Sequence, residues 1–318
     1  MGNVIAEGGF SNIHEIKSFK QNHMWSLDSN KRYVVKHLKP SLTLNPHALR
    51  SAATDICNEM HVLSSLDHKH IVRIEGVSSG GVTSFMATGR ADGFFLILPR
   101  LEQSLIHRIS HWRQRCIKTT QSSFSLSKLG KCESTLQLFK ERIQVAQQLA
   151  SALSYLHQHR ILHRDIKPGN VAFDNDGCLK LIDFGLAVEL PKNDDPNATF
   201  DLGNAGTIRY QAPEVMKKQP YNHKSETFSL SIVLWEIMSL VKPYECLSCK
   251  EVKESVSQIG MRPSLHRSWP KALKSLLKKG WSKRMSNRPS MEEMEAALDQ
   301  IVNADYTKKS SALAMFGL

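Results

Sequence analysis

The chain has 318 residues, 41% of them hydrophobic, and a net charge of +12, enough apolar material for a sizeable core in one domain or two closely joined lobes. No run is long and apolar enough to cross a bilayer; the best candidate, 228–240, is interrupted by Glu236 and reads as a buried helix. No nucleic-acid-binding motif accompanies the basic charge, which reads as a solvated surface. The six cysteines read as free thiols of a reducing compartment, the cytoplasm. Cys246 and Cys249 form a C-x-x-C without the two further ligands a zinc site needs. No signal peptide is visible, and Ala6 stands where a myristoylation signal carries Ser or Thr.

In chain order, residues 4–20 are expected to form two short strands joined at Glu7-Gly8-Gly9, and 32–38 a third strand closed by Pro40. Residues 46–66 show helical spacing, with Ile56, Met60 and Leu63 on one stripe. Residues 71–77 and 94–98 are further strands, with Gly80-Gly81 between them as a turn signal. Beyond Leu98 the pattern becomes mostly helical. Residues 136–157 form a long helix whose core face is Leu138, Ile143, Ala146, Leu149, Leu153 and Leu156. Residues 171–173 and 179–182 form a hairpin about Asn175-Asp176-Gly177. Later helices cover 228–240, 271–279 and 291–302. Residues 116–134, rich in Ser, Thr and Lys, read as an inserted surface loop.

Chemistry concentrates in His163-Arg164-Asp165-Ile166-Lys167-Pro168-Gly169-Asn170. Asp165 can orient a hydroxyl and take its proton. Lys167 can neutralise a transferring phosphoryl group, and Asn170 can offer Mg²⁺ an oxygen. Asp183-Phe184-Gly185 follows 18 residues after Asp165, and Ala212-Pro213-Glu214 after that. These three ordered motifs resemble those of a eukaryotic protein kinase domain, and the resemblance covers nearly the whole chain. Lys167 and Thr207 resemble serine/threonine enzymes. Ile232-Val233-Leu234-Trp235-Glu236, Arg262-Pro263, Trp281 and Asn287-Arg288-Pro289-Ser290 look like the tyrosine-kinase-like group, whose members are mostly Ser/Thr kinases.

The resemblance implies a bilobal α+β kinase fold over 1–303. Its parts are a small antiparallel β lobe with one helix (1–98), a hinge (99–101), a larger, mainly helical lobe (102–303) and a tail (304–318). It implies ATP and Mg²⁺ as cofactors and proteins as substrates. Lys36, in Tyr33-Val34-Val35-Lys36, would hold the α/β-phosphates with Glu59 as its partner. Asp183 and Asn170 would chelate Mg²⁺. Leu63, Ile74, His163 and Phe184 would form a packed column. Residues 5–13 would cover the phosphates, contributing Ile5, Gly8 and Ile13. Leu98 would be the gatekeeper. Pro99 would present a carbonyl to adenine, Leu101 an N–H, and Val34 and Ala172 would sandwich the ring. Glu214 would pair with Arg288 in the interior.

The chain departs from the family pattern in several places. Only Gly8 of the glycine loop matches, with Ala6 and Ser11 at the other glycine positions. Glu226 replaces an Asp that anchors the catalytic loop, and Ser231 replaces a Gly. Gly169 is not acidic, so no preference for basic substrates follows. These departures leave a second reading open, a pseudokinase that binds partners through the same fold. A third, a small-molecule kinase, fits poorly with Ala212-Pro213-Glu214. Arg164 next to Asp165, with Thr199 the one hydroxyl between Gly185 and Gly206, suggests control by an upstream kinase.

Overall fold

A computed structural model describes residues 2–17, 31–90, 93–121, 128–193, 195 and 197–304. In chain order the elements are β1 (Val4–Glu7), β2 (Ser11–Glu15), β3 (Tyr33–Leu38), α1 (Pro46–Ser64), β4 (Gly76–Val77), α2 (Gly81–Thr88), β5 (Phe95–Pro99), β6 (Gln103–Ser104), α3 (Leu105–Gln121), α4 (Lys128–Gln158), β7 (Ile161–Leu162), β8 (Val171–Phe173), β9 (Leu179–Leu181), β10 (Val188–Glu189), α5 (Pro213–Met216), α6 (Lys224–Ser239), α7 (Cys249–Glu254), α8 (Lys271–Gly280) and α9 (Met291–Asn303). The chain divides into two compact units, Met1–Glu102 with Phe173–Ala187, and Gln103–Ala172 with Val188–Leu318. The fold class is the expected α+β one.

The first unit is built on a five-stranded antiparallel sheet in the order β1-β2-β3-β5-β4. β3 suits its central place: Tyr33, Val34, Val35 and Leu38 are all buried, and β-branched and aromatic side chains pack well on a pleated surface. α1 starts where Asn45 accepts a hydrogen bond from the Ala48 N–H (3.0 Å) and Pro46 opens the helix. Its buried stripe is Leu49, Ala52, Ile56, Glu59, Val62 and Leu63. The carboxylate on this apolar stripe is therefore the residue that must find a partner.

Two expectations for this unit are corrected. The β lobe holds a second helix, α2, where a turn between strands was expected. Gly80 precedes it, Gly89 closes it in the left-handed region (φ 63°), and Phe85 anchors it at 0% exposure. The expected strand over 71–77 shrinks to β4, because Ile71 and Val72 bond elsewhere. Val72 N–H donates to Leu181 and Leu181 N–H to His70 (3.0 and 2.8 Å), which ties this stretch to β9.

The second unit is organised around α6. It is buried almost all round, as befits a helix at the centre of a bundle. α4 packs against α6 and α9 with the core face read from the sequence, Leu138 through Leu156, fully in place. The inserted loop expected over 116–134 is corrected at both ends: α3 runs to Gln121 and α4 begins at Lys128. Extending an existing helix is cheap compared with nucleating a new one, even through residues such as Thr119 and Thr120 that favour helix only weakly. Residues 122–127 and the tail beyond 304 lie outside the described residues. No helix among the described residues is long and apolar enough to cross a membrane.

Two internal contacts hold this unit at depth. Arg288, 1% exposed, grips Glu214 in a fork, Nη1 to Oε1 at 2.5 Å and Nη2 to Oε2 at 2.8 Å. It also donates to the carbonyls of Ser282 and Lys224. This is the pair expected from the sequence. Removing one partner leaves a buried charge uncompensated, so Arg288→Ala is expected to destabilise by about 3–5 kcal/mol in denaturant titrations; an unchanged midpoint would show that the pair stabilises nothing. The second contact is steric. Ser231 on α6 bonds its own helix at the Thr227 carbonyl (2.8 Å), and a Cβ placed on Gly280 of α8 would lie 2.0 Å from Ser231 Oγ. Gly280→Ala is expected to cost about 1–3 kcal/mol through overpacking. Adding Ser231→Gly should recover most of it, and strictly additive effects in the double mutant would show that the two positions do not touch.

Candidate active site

In the first unit, Lys36 leaves β3 opposite Ile13 on one side and Leu96 on the other. Its ammonium meets Glu59 Oε2 at 2.5 Å and Asp183 Oδ1 at 3.2 Å. Glu59 is 2% exposed and the Asp183 side chain 50% exposed, so the lysine links a buried carboxylate to a solvent-facing one. Burial alone would lower the Lys36 ammonium, but Glu59 and then Asp183 outweigh it and hold the group above the ordinary lysine range. Asp183 has a left-handed backbone, φ 67°, which a residue with a Cβ adopts only when its surroundings impose it.

The residues expected around a nucleotide are placed as follows. Val34 pairs with Leu98 and Tyr33 with Pro99 across β3 and β5, and Val34 and Leu98 are buried. Leu101, just beyond β5, is half-buried. Ile13 pairs with Ala6, and Ile5 is 43% exposed on β1. The turn between β1 and β2 is closed by the Gly8 N–H donating to the Ser11 carbonyl (2.8 Å). A Cβ on Gly8 would come within 3.2 Å of Ser11 Oγ, so the serine side chain occupies the space beside the one matching glycine.

In the second unit the loop 163–170 wraps around Asp165. Asp165 Oδ1 accepts from the Thr207 N–H (2.8 Å) and hydroxyl (2.7 Å). Oδ2 accepts from Lys167 Nζ (2.5 Å) and Asn170 Nδ2 (3.1 Å). Asn170 Nδ2 also donates to the Asp165 carbonyl (2.9 Å), so both amide hydrogens go to Asp165 and Oδ1 remains as an acceptor. Lys167 Nζ bonds Thr207 Oγ1 as well (3.1 Å). Ala172, at the end of the loop, is buried.

This loop is also strained. Arg164 has φ 69°, and its N–H is held by Glu226 Oε1 (2.7 Å), while Glu226 Oε2 bonds His157 Nε2 (2.8 Å). Burial pushes the Glu226 carboxyl up, but the bond to His157, the nearby His163 and the Arg164 N–H prevail and hold it below the usual range. Gly206 (φ 94°) crosses so close that a Cβ would sit 2.2 Å from the Arg164 carbonyl; only glycine fits there.

The structure thus joins Lys36, Glu59 and Asp183 in one unit, and Asp165, Lys167 and Asn170 in the other. Sequence reasoning took Thr207 as a mark of substrate class and missed its direct bonds to Asp165. It also missed His157, because no motif flags a helix histidine as support for a carboxylate 69 residues away. By donor chemistry, the half-exposed carboxylate of Asp183 in the first unit and the carboxamide oxygen of Asn170 in the second are each of the oxygen type that a hard divalent cation takes.

A family model described as protein tyrosine and serine/threonine kinase matches residues 1–298. The serine/threonine-protein kinase STY17 of Arabidopsis thaliana is 26% identical over 268 residues, covering 84% of this chain and 40% of its own length. Mitogen-activated protein kinase kinase kinase 7 of Drosophila melanogaster is 28% identical over 263 residues, 81% of this chain and 33% of that protein. The dual specificity protein kinase shkB of Dictyostelium discoideum is 37% identical over 158 residues, 49% of this chain and 24% of its own. The chain therefore spans less than half the length of these relatives. On the extent of the family match, this chain belongs to the protein tyrosine and serine/threonine kinase family.

Proposed function

We propose that the chain transfers the γ-phosphoryl group of ATP to serine and threonine hydroxyls of protein substrates in the cytoplasm. The observation that carries this reading is the fixed setting of Asp165 among Thr207, Lys167 and Asn170. Asp165 orients the substrate hydroxyl and takes its proton as the oxygen bonds to phosphorus and the bond to ADP breaks. Lys167 offsets charge on the phosphoryl oxygens. Lys36, kept charged by Glu59, holds the α/β-phosphates. Val34, Leu98, the Pro99 carbonyl, the Leu101 N–H and Ala172 take the adenine, with Ile5, Gly8 and Ile13 covering the phosphates. Asp183 and Asn170 would hold Mg²⁺, which supplies charge neutralisation on the phosphates when bound. Lys167 and Thr207 support Ser/Thr acceptors, as do the printed names of STY17 and its like. The name of shkB makes a tyrosine readout part of the test.

The pseudokinase alternative rests on the glycine loop, Glu226 and Ser231. Two of those supports weaken, since Glu226 bonds the Arg164 N–H and Ser231 faces a glycine. Mg²⁺-dependent phosphorylation by the purified chain, followed on Ser, Thr and Tyr, tests the proposal. Asp165→Asn is expected to lower kcat by about 10²–10⁴ with ATP still bound, and Asp183→Asn to weaken Mg²⁺ activation as well. Near-full turnover by Asp165→Asn would remove the assignment of that loop.

Regulation by an upstream kinase is the natural extension. Thr199 is exposed, and Arg164 Nη2 donates to the carbonyl of Leu202 (2.8 Å), three residues further along. Arg164 Nε is buried without a hydrogen-bond partner among the described residues. A phosphate on Thr199 would offer that guanidinium a forked acceptor. Phosphorylation there is expected to raise activity. Thr199→Ala with wild-type activity, together with no phosphate at that residue by mass spectrometry, would rule the switch out.

A further inference from the structure

Asn58 sits on α1 immediately before Glu59 and takes no part in the proposed phosphoryl transfer. Its side-chain Nδ2 points at the backbone that follows Asp183, with the carbonyls of Phe184 at 3.3 Å, Gly185 at 3.0 Å and Ala187 at 2.8 Å. The Phe184 carbonyl also accepts the Ala187 N–H (3.0 Å), so the amide closes over a tight turn that already has one bond of its own. One helical turn earlier, Asp55 lies against the same segment: a Cβ on Gly185 would be 3.2 Å from Asp55 Cβ. The segment therefore runs close along the face of α1 that carries Asp55 and Asn58.

The arrangement answers a physical need. Asp183 holds a left-handed backbone, φ 67°, and such a conformation lasts only where neighbouring contacts impose it. Its side chain is tied through Lys36 to Glu59. The backbone after it is tied through Asn58. Two consecutive residues of one helix thus grip the segment from both ends. Three convergent carbonyls call for a neutral group with two hydrogens on one nitrogen, which a carboxamide supplies and a carboxylate does not.

We propose that Asn58 is a positioning residue: it locks the Asp183-Phe184-Gly185 segment to α1, so that the metal-binding carboxylate is presented only while that helix is in place. The inference rests on the proposed kinase reading for its catalytic consequence, but not for its structural one.

The test compares wild type with Asn58→Ala, Asn58→Asp, which keeps the size but loses the donor, and Asn58→Gln, which keeps the donor on a longer stem. In the unliganded proteins, backbone hydrogen exchange at 184–187 is expected to quicken at least about tenfold in the Ala and Asp variants, with exchange in β3 and β5 unchanged. In the kinase assay, the Mg²⁺ concentration for half-activation should rise on the order of 10–100-fold, with a smaller fall in kcat at saturation, and Gln should recover part of both. If Ala does not fold, the isosteric Asp variant carries the comparison. Wild-type exchange and wild-type Mg²⁺ activation in Asn58→Asp would overturn the proposal. So would a uniform rise in exchange across the whole unit, which would mean general destabilisation. Should the wild type itself transfer no phosphate, the kinase reading fails, and the exchange data alone decide the role of Asn58.

Discussion

Arg164, the residue before Asp165, and Asp183 both hold left-handed backbones. Each such residue with a Cβ costs about 1–2 kcal/mol, and neither lies in a segment that could sustain the cost alone. Glu226 holds the first through its N–H, and Asn58 holds the chain after the second through three carbonyls. In both cases a helix side chain far along the sequence bonds the main chain of a short loop. The loops carry Asp165 and Asp183, and the helices supply the constraint that keeps them in an otherwise unfavourable shape. Gly206 shows how little slack remains, since its path beside the Arg164 carbonyl has no room for a single methyl group.

Charge does a related job within the first unit. Glu59 lies on the apolar stripe of α1 and is nearly sealed from solvent. An ionised carboxylate in that setting is unfavourable by several kcal/mol without a partner. Lys36 on β3 is that partner, so the same contact that relieves the helix also aims the lysine. The second contact of Lys36, to Asp183, reaches a half-exposed carboxylate. The chain of charges thus runs from a buried end at Glu59 to an open end at Asp183.

The motifs were legible because the chemistry compresses them into short strings: Asp165, Lys167 and Asn170 fall within six residues, and the structure brings them into one hydrogen-bonded set. α1 and the apolar face of α4 were legible from periodicity, because each buries one face, whereas β1 to β3 were legible from the Glu7-Gly8-Gly9 turn and Pro40 that bound them, since β1 is exposed throughout and β3 buried almost throughout. α2 was not. It is eight residues long between glycines, too short to show a period and written in residues that also suit a turn. The ends of α3 and α4 were hidden by a Ser- and Lys-rich composition that marks loops in general but does not stop a helix already begun. Asn58 and His157 were illegible for a different reason. Their meaning lies in partners 69 or more residues away, and a lone asparagine or histidine on a helix carries no local mark of such a partner.

The departures from the family pattern differ in their physical standing. Glu226 is one methylene longer than an aspartate, and the added reach is used: one oxygen keeps the Arg164 N–H, and the other takes His157. Ser231 adds a side chain to the centre of α6, and Gly280 on α8 leaves space for it. Both substitutions are matched by local partners, and that of Glu226 holds the loop that carries Asp165. The glycine loop has no such match. Ser11 fills the space beside Gly8 instead of leaving it open, which restricts how closely that turn can settle over a phosphate. The physical differences of this chain are therefore concentrated where a nucleotide would be covered, while the groups that would act on the acceptor hydroxyl are held as tightly as their strained backbone requires.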